Sequence, residues 1–301
     1  MFAPKIYVIF TCILIIAFMF VSCKPKTVQT DTGTGDGSNV TGTTNDTGVG
    51  DITLTTSDGY TIAGTFMDGE GEGKRPAVLL IHMLGSDRHA YDELQSKLAL
   101  KGISSLSIDL RGHGDSTAGG TLDYKAFTIE EWQAALNDLR AGMENLKARD
   151  NVDPKLTGMI GASIGANMAV ALAADEFLSG AQNPPNALVL LSPGLNYKEY
   201  QPLEGGLIHE LRRIPVFIVS SPGDAQSYPG SQAMSQASKG TLREFEGNGH
   251  GTALFETHPE LMDEIANWLY DRVANQAGAD ETAPTNIDEP ASTGDGATTG
   301  Q

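Results

Sequence analysis

Three residues in the middle of the chain have the types and the order needed to make a serine hydroxyl reactive. Ser163 stands in the glycine-flanked segment 161–165 (GASIG), Asp224 follows it along the chain, and His250 lies between glycines in 247–251 (GNGHG). A neutral serine hydroxyl is a poor nucleophile, so it needs an imidazole to accept its proton and a carboxylate to fix the tautomer of that imidazole. These residues predict nucleophilic chemistry with Ser163 as nucleophile, His250 as base and Asp224 as orienting acid.

Each of these three residues follows a predicted strand. The apolar runs 156–160 and 216–219 lead into Ser163 and Asp224, and an alternating strand precedes His250. Open α/β sheets bind ligands at the carboxyl ends of their strands. Taken alone, Gly-x-Ser-x-Gly is a weak signal in a glycine-rich chain, and an aspartate or histidine in such a loop is often an ordinary turn residue. The joint order of serine, acid and histidine favours the catalytic interpretation.

The elements that must position these residues alternate between strand and helix patterns. Thr128 and Glu131 form a capping box that starts a predicted amphipathic helix through Leu146, and a last helix opens at 257–260. The segment 52–66 predicts an antiparallel hairpin at the sheet edge. Short apolar runs predict buried, mostly parallel strands at 78–81, 103–108, 156–160, 187–191 and 216–219. The pattern indicates an α/β fold with a mostly parallel central sheet and helices on both faces.

Three motifs together resemble the α/β-hydrolase superfamily. They are 161–165 (GASIG), 82–88 (HMLGSDR) and 109–116 (DLRGHGDS), and the last is similar to a turn of monoglyceride-lipase-like and serine-aminopeptidase-like members. The resemblance covers residues 52–273 and implies the α/β-hydrolase fold. It also implies cleavage of an ester, thioester or amide through an acyl-enzyme, with no metal or organic cofactor. By the same resemblance, the turn 111–113 supports the site and takes no part in the reaction.

The resemblance also indicates which groups stabilise the carbonyl oxygen, whose negative charge in the transition state must be met by preorganised N–H groups. One donor is expected from the loop 82–85, and the other is the backbone N–H of Ile164, directly after the nucleophile. Met83 stands where members of the superfamily commonly have glycine. Of the two candidate donors in this loop, Met83 and Leu84, Leu84 is favoured.

The predicted function is hydrolysis of a carboxylic ester, with a small-molecule or lipid-like ester as substrate. The cap that commonly shapes specificity in this fold is short here, 192–215, which indicates an open site. An aminopeptidase or amidase is an alternative, and it would need an acid to hold the substrate amine, for which Asp115, Glu199 and Glu204 are candidates. The alternative from another class is a catalytically silent cell-surface binding protein, in which Met83 disables the oxyanion loop.

Charge and cysteine content limit the partners and the stabilising bonds of the chain. The formal net charge is −18 over 301 residues, which argues against a nucleic-acid partner because a phosphate-binding surface needs clustered Lys and Arg. The two cysteines, Cys12 and Cys23, both lie near the N-terminus, so the predicted domain at 51–273 contains no disulfide. The sequence does not set the oligomeric state.

The N-terminal region predicts export. Lys5 is followed by the apolar run 6–21, which is typical of a signal peptide at 1–22. Residues 20–23 (FVSC) resemble the lipobox of bacterial lipoproteins, which implies acylation of Cys23 and a membrane-anchored protein on the periplasmic or cell-surface side. An uncleaved signal anchor is the alternative. Segments rich in Thr, Gly, Asp and Ala predict a disordered tether at 23–50 and a disordered acidic tail at 274–301.

Overall fold

The computed structural model describes residues 48–204 and 207–274, and in these ranges eight strands form one sheet. The strands are β1 (Val49–Thr55), β2 (Thr61–Met67), β3 (Arg75–Ile81), β4 (Ser104–Ile108), β5 (Val152–Ala162), β6 (Leu188–Leu191), β7 (Val216–Ser220) and β8 (Thr241–Glu244). Their order across the sheet is β1-β2-β4-β3-β5-β6-β7-β8. The pairs β1/β2 and β2/β4 are antiparallel, and the other pairs are parallel. The predicted α/β fold, its mostly parallel sheet and the hairpin at the edge are confirmed.

Helices lie on both faces of this sheet. Within the described ranges they are α1 (Asp92–Leu100), α2 (Ile129–Ala134), α3 (Leu136–Lys147), α4 (Ile164–Ser179), α5 (Leu207–Glu210), α6 (Tyr228–Ser238), α7 (Leu254–Thr257) and α8 (Glu260–Leu269). Leu79 and Ile81 of β3 belong to the core shared with α2, α3 and α4. Val78 and Leu80 belong to the core shared with α1 and α8. Because successive side chains of a strand point to opposite faces, a strand buried on both faces reads as a continuous apolar run.

The helix predicted from Thr128 through Leu146 is divided into α2 and α3 at Ala135. The predicted capping box at Thr128 and Glu131 is present. At Ala135 the backbone N–H bonds to the carbonyls of both Glu131 and Trp132, and its ψ of −10° departs from a regular α-helix. Trp132 before this turn and Asp138 after it are both fully buried. The apolar spacing indicates the buried face of both helices, but it contains no signal for the tightened turn between them.

The structure covers most of the predicted domain at 51–273. Strand β1 begins at Val49, inside the segment predicted as a tether, because Val49 and Gly50 continue the pairing with β2. The predicted signal peptide at 1–22, the lipidation residue Cys23, most of the tether at 23–50 and the acidic tail beyond Ala274 lie outside the described residues. Among the helices of the described ranges, none combines the length and apolarity needed to cross a membrane.

Candidate active site

Ser163 lies on a strained turn between β5 and α4. Its backbone adopts φ 53° and ψ −117°, a left-handed conformation that costs a residue with a side chain about 1–3 kcal/mol. A Cβ atom on Gly161 would lie 2.3 Å from the carbonyl oxygen of Gly165, and one on Gly165 would lie 2.5 Å from that of Ile81. The two glycines therefore let the strand and the helix approach closely enough to form the turn, which is the geometry of a nucleophile elbow.

The structure brings the three predicted side chains together. The Nε2 atom of His250 lies 2.8 Å from Oγ of Ser163, and its Nδ1 atom lies 2.6 Å from Oδ2 of Asp224. Asp224 comes from the loop after β7 and His250 from the loop after β8. When Nδ1 carries the proton that is donated to Asp224, Nε2 is left to accept the proton of the serine hydroxyl.

The Asp224 carboxylate is held by a second donor that no sequence pattern indicates. The hydroxyl of Ser227 donates to the same oxygen, Oδ2, that accepts from His250. Burial tends to raise the pKa of Asp224, but the hydrogen bonds from Ser227 and His250 outweigh it and the pKa lies below its ordinary value. Asp224 is therefore ionised at neutral pH. Ser227 is the residue before α6, a position where serine is common for helix capping alone.

Two further residues hold the loop that carries His250. The hydroxyl of Ser192, a fully buried residue at the end of β6, accepts a hydrogen bond of 2.9 Å from the backbone N–H of Gly251. Met83 packs against the same glycine, since a Cβ atom on Gly251 would lie 2.8 Å from the Met83 sulfur. Met83, the departure from the superfamily pattern, thus supports the histidine loop.

The predicted oxyanion donors, Leu84 and Ile164, line the same cavity as Ser163 and His250. The N–H of Ile164 is the first of α4 and therefore has no partner within the helix. The N–H of Leu84 donates no hydrogen bond to any residue in the described part of the chain. Both N–H groups are therefore available to a bound oxygen.

His82 fixes the orientation of the peptide that carries the Leu84 N–H. Its Nε2 atom accepts a hydrogen bond of 3.0 Å from the N–H of Leu110, so Nδ1 carries the proton and donates to the carbonyl of Met83 over 2.8 Å. The carbonyl of Met83 and the N–H of Leu84 belong to one planar peptide and point in opposite directions. The buried His82 therefore directs the Leu84 N–H away from its own ring.

The cavity at Ser163 has a volume of about 300 Å³ and a mostly apolar wall. None of the three predicted amine-anchoring acids lines it: Asp115 instead pairs with Arg88 at 2.8 Å, and Glu199 contacts the amide of Asn196. The lining residues within the described ranges include one cation and no carboxylate: Met83, Leu84, Ser163, Ile164, Asn196, Tyr197, Lys198, Gln226 and His250. Across the described ranges, no cluster of three or more His, Cys, Asp or Glu side chains is placed to hold a metal ion.

The turn 111–113 lies outside this cavity, as the resemblance implies. The guanidinium of Arg111 is buried and bridges two carboxylates, at 2.8 Å from Asp58 and 2.7 Å from Asp138. Asp58 belongs to the β1–β2 turn and Asp138 to α3, so Arg111 ties the edge hairpin to a helix on the sheet face. Its role in the structure is to connect elements.

Comparison with known families gives a match over more than half of the chain. The family described as serine aminopeptidase, S33, matches residues 72–239. Uncharacterized proteins of Mycobacterium tuberculosis, from strains CDC 1551 / Oshkosh and H37Rv, are 35% identical over 143 residues, which is 48% of this chain and 45% of theirs. The chain thus spans about half the length of these relatives.

Solved structures of esterases share the fold. An esterase of Pyrobaculum calidifontis superimposes with a TM-score of 0.58 at 17% identity, covering 74% of this chain and 84% of that one. Est1E of Butyrivibrio proteoclasticus, with ferulic acid bound, gives 0.57 at 20% identity over 73% of this chain and 99% of that one. The carboxylesterase EstE1 from a metagenomic library gives 0.57 at 18%, over 74% and 88%. At these identities the likeness shows the fold alone.

Proposed function

This chain belongs to the serine aminopeptidase S33 family of α/β-hydrolases, and from that premise we propose that it hydrolyses carboxylic esters through an acyl-enzyme on Ser163. The observation that carries the proposal is the hydrogen-bonded series from Asp224 through His250 to Ser163, which opens into the cavity. An imidazole that accepts from a serine and donates to a carboxylate is the arrangement that activates a serine hydroxyl.

The first half of the reaction forms the acyl-enzyme. Oγ of Ser163 bonds to the carbonyl carbon of the ester while its proton passes to Nε2 of His250. Asp224 stabilises the resulting imidazolium through Nδ1, and the negative carbonyl oxygen accepts from the N–H groups of Leu84 and Ile164. The carbon–oxygen bond to the alcohol then breaks, and the alcohol oxygen takes the proton from Nε2. In the second half, water repeats these steps on the acyl-enzyme and releases the acid.

The charge of the cavity wall favours an ester over an aminopeptidase substrate. A protein that selects a free amino terminus needs an anion to pair with the ammonium group. The residues of the described ranges that line this cavity include Lys198 and no carboxylate. A cationic substrate would therefore find no carboxylate on this wall to pair with, whereas an uncharged ester needs none.

The experiment that tests the proposal compares ester substrates with aminoacyl anilide substrates on one sample. Purified full-length chain is assayed with p-nitrophenyl esters of increasing acyl length and with aminoacyl p-nitroanilides. Ester turnover that falls by at least about 10⁴-fold in Ser163→Ala supports the proposal. Faster turnover of the anilides would replace it with the aminopeptidase reading, and no turnover of either would favour the silent binding protein.

We further infer that the chain is exported and held at a membrane by a lipid on Cys23. The support is the apolar run 6–21 and the lipobox-like residues 20–23. Metabolic labelling with a fatty acid should mark the wild-type chain and leave Cys23→Ala unlabelled. A Cys23→Ala chain that stays fully in the membrane fraction with its N-terminal segment uncleaved would instead support the signal-anchor alternative.

A further inference from the structure

Tyr197 places a phenol hydroxyl beside the nucleophile, and the mechanism above does not use it. Its ring meets the ring of His250 edge to face, with centroids 6.4 Å apart. Its hydroxyl is buried, yet it forms no hydrogen bond with any residue of the described ranges. A buried donor without a partner is destabilising. Tyr197 is also one of the residues that line the cavity with Ser163 and His250.

Hydrogen bonds and packing in the surrounding segment fix the position of the Tyr197 ring. The fully buried side chain of Asn167 donates to the carbonyls of Gly194 and Tyr200, at 2.9 Å each, and accepts from the N–H of Gly194 at 3.1 Å. A Cβ atom on Gly194 would lie 2.5 Å from the Tyr197 ring, so the ring packs directly on this backbone. Asn167 thus fastens the segment on both sides of Tyr197.

The backbone of this segment is strained where it presents Tyr197. Tyr197 and Tyr200 exchange two backbone hydrogen bonds, of 3.2 and 2.9 Å, around a two-residue turn. The turn residues Lys198 and Glu199 have φ of 53° and 65°, a conformation that Asn and Gly adopt far more easily. Strained backbone of this kind persists only where the surrounding structure enforces it, and it is concentrated at functional sites.

The phenol is suited to donate a hydrogen bond and unsuited to accept a proton. Burial raises the pKa of Tyr197 above its ordinary value, and the negative charge of Asp224 adds to this although Ser163 lowers it. The hydroxyl is therefore protonated at neutral pH. His250 already accepts the serine proton, so no second base is needed.

The sheet order places Tyr197 opposite the oxyanion donor. Ser163 follows β5, which lies between β3 and β6. Leu84 belongs to the loop after β3, whereas Tyr197 belongs to the segment after β6 and contacts His250. Since His250 delivers its proton to the departing alcohol, Tyr197 lies on the leaving-group side of the nucleophile.

We propose that the Tyr197 hydroxyl donates a hydrogen bond to the leaving-group oxygen of the ester as its bond to the carbonyl carbon breaks. The electron pair of that bond moves to the oxygen, Nε2 of His250 supplies the proton, and Tyr197 keeps its own proton. The inference rests on the proposed ester hydrolysis and adds a determinant of the alcohol part of the substrate. Esters of poorly leaving alcohols gain most, because their oxygen carries more negative charge when the bond breaks.

The test is the dependence of kcat/KM on the leaving group in full-length wild type and Tyr197→Phe. The substrates share one acyl group and carry p-nitrophenol, phenol or an alkyl alcohol, and kcat/KM reports the step that releases the alcohol. We expect Tyr197→Phe to lose about 10- to 100-fold with the alkyl ester and less than about 3-fold with the p-nitrophenyl ester. The phenylalanine ring keeps the packing against His250. A steeper dependence of kcat/KM on the leaving group in Tyr197→Phe is therefore due to the lost hydroxyl.

Tyr200→Phe is the matched control. Tyr200 lies in the same hairpin, but its hydroxyl donates to the carbonyl of Trp132 at 2.7 Å and not into the cavity. Its leaving-group dependence should equal that of wild type. An equal loss across the series in Tyr197→Phe, or no loss, overturns the inference while leaving ester hydrolysis in place. A wild-type chain that turns over none of these esters overturns both proposals.

Discussion

Asp224 receives two hydrogen bonds on a single oxygen, one from the imidazole of His250 and one from the hydroxyl of Ser227. Because both groups donate to Oδ2, both stabilise the negative charge on the same carboxylate oxygen. Ser227 keeps the carboxylate ionised and facing the imidazole, against the cost of its burial. A serine that touches no substrate thus helps to set the protonation state of the site.

Replacement of Ser227 should slow the proposed ester hydrolysis without abolishing it. In Ser227→Ala the pKa of Asp224 should rise toward its ordinary range and the imidazole should be less firmly oriented. We expect kcat/KM for a p-nitrophenyl ester to fall by about 10- to 150-fold, the equivalent of one lost hydrogen bond to a charged group. The control is Ser235→Ala, since Ser235 donates to Gly240 at the far end of α6. Equal losses in the two variants would contradict this role.

The charge of Lys198 should select among substrates. In Lys198→Glu we expect the ratio of kcat/KM for a cationic choline ester over a neutral ester of equal size to rise by about 3- to 10-fold at low salt. The change should shrink at high ionic strength, because exposed charges are screened. Lys155→Glu alters the net charge equally on an exposed residue of β5 and should leave the ratio unchanged. A ratio that is equal in wild type and Lys198→Glu would exclude Lys198 from substrate selection.

The sequence predicts some of the site residues and gives no sign of others, for a physical reason. Ser163, Asp224 and His250 are chemically reactive types in a required order, so their pattern carries the prediction. Ser192 and Tyr197 are ordinary residue types whose role depends on contacts across the fold. The hydrogen bond from Gly251 to Ser192 joins residues 59 positions apart, and no local pattern encodes it.

At the scale of elements, apolar runs predict the buried strands well and their ends poorly. Leu156 to Ile160 is the apolar part of β5, but the strand begins at Val152 and includes Asp153 and Lys155, which are not buried. Val152 pairs with Arg75 of β3 and the pairing resumes at Thr157 with Ala77, so the polar residues lie at an irregularity in the register between these two points. Burial produces the apolar signal, whereas backbone pairing alone leaves no mark on side-chain type.

Arg111 should be the most sensitive connection between elements. In Arg111→Leu the carboxylates of Asp58 and Asp138 lose their shared partner, and Asp138 is fully buried. We expect the free energy of unfolding, measured with urea at pH 7, to fall by about 3–5 kcal/mol. The comparison is Arg140→Leu, which removes the exposed ion pair of Arg140 with Asp175. This variant should change the free energy of unfolding by less than about 1 kcal/mol. Similar effects of the two variants would show that Arg111 is no more than a surface ion pair.

At the scale of the whole molecule, His113 should make stability depend on pH. It stacks on Tyr124 with centroids 3.9 Å apart, and burial together with the neighbouring His82 lowers its pKa to about 4. Because the unfolded chain binds this proton near its ordinary pKa of about 6.5, stability should fall as the pH drops from 6.5 to 4, by up to about 3 kcal/mol. Above about pH 7.5 the histidine is neutral in both states and adds no dependence.

A difference measurement isolates this contribution from those of the acids. Urea unfolding of wild type and His113→Gln at pH 7 and at pH 4.5 gives two differences in the free energy of unfolding. His113→Gln should lose less stability than wild type between the two pH values, because glutamine has no proton to bind. Parallel losses would show that His113 does not titrate in this window.

The order of the strands also has a consequence for the synthesis of the protein. The chain enters the sheet at the β1 edge and finishes at the β8 edge. Ser163 follows β5, and the groups around it come from the loops after β3, β6, β7 and β8. Ser163 emerges from the ribosome 61 residues before Asp224 and 87 before His250. Under the proposed mechanism, a nascent or prematurely terminated chain that ends before His250 carries the serine without its proton acceptor and would lack hydrolytic activity until nearly the whole domain has been made.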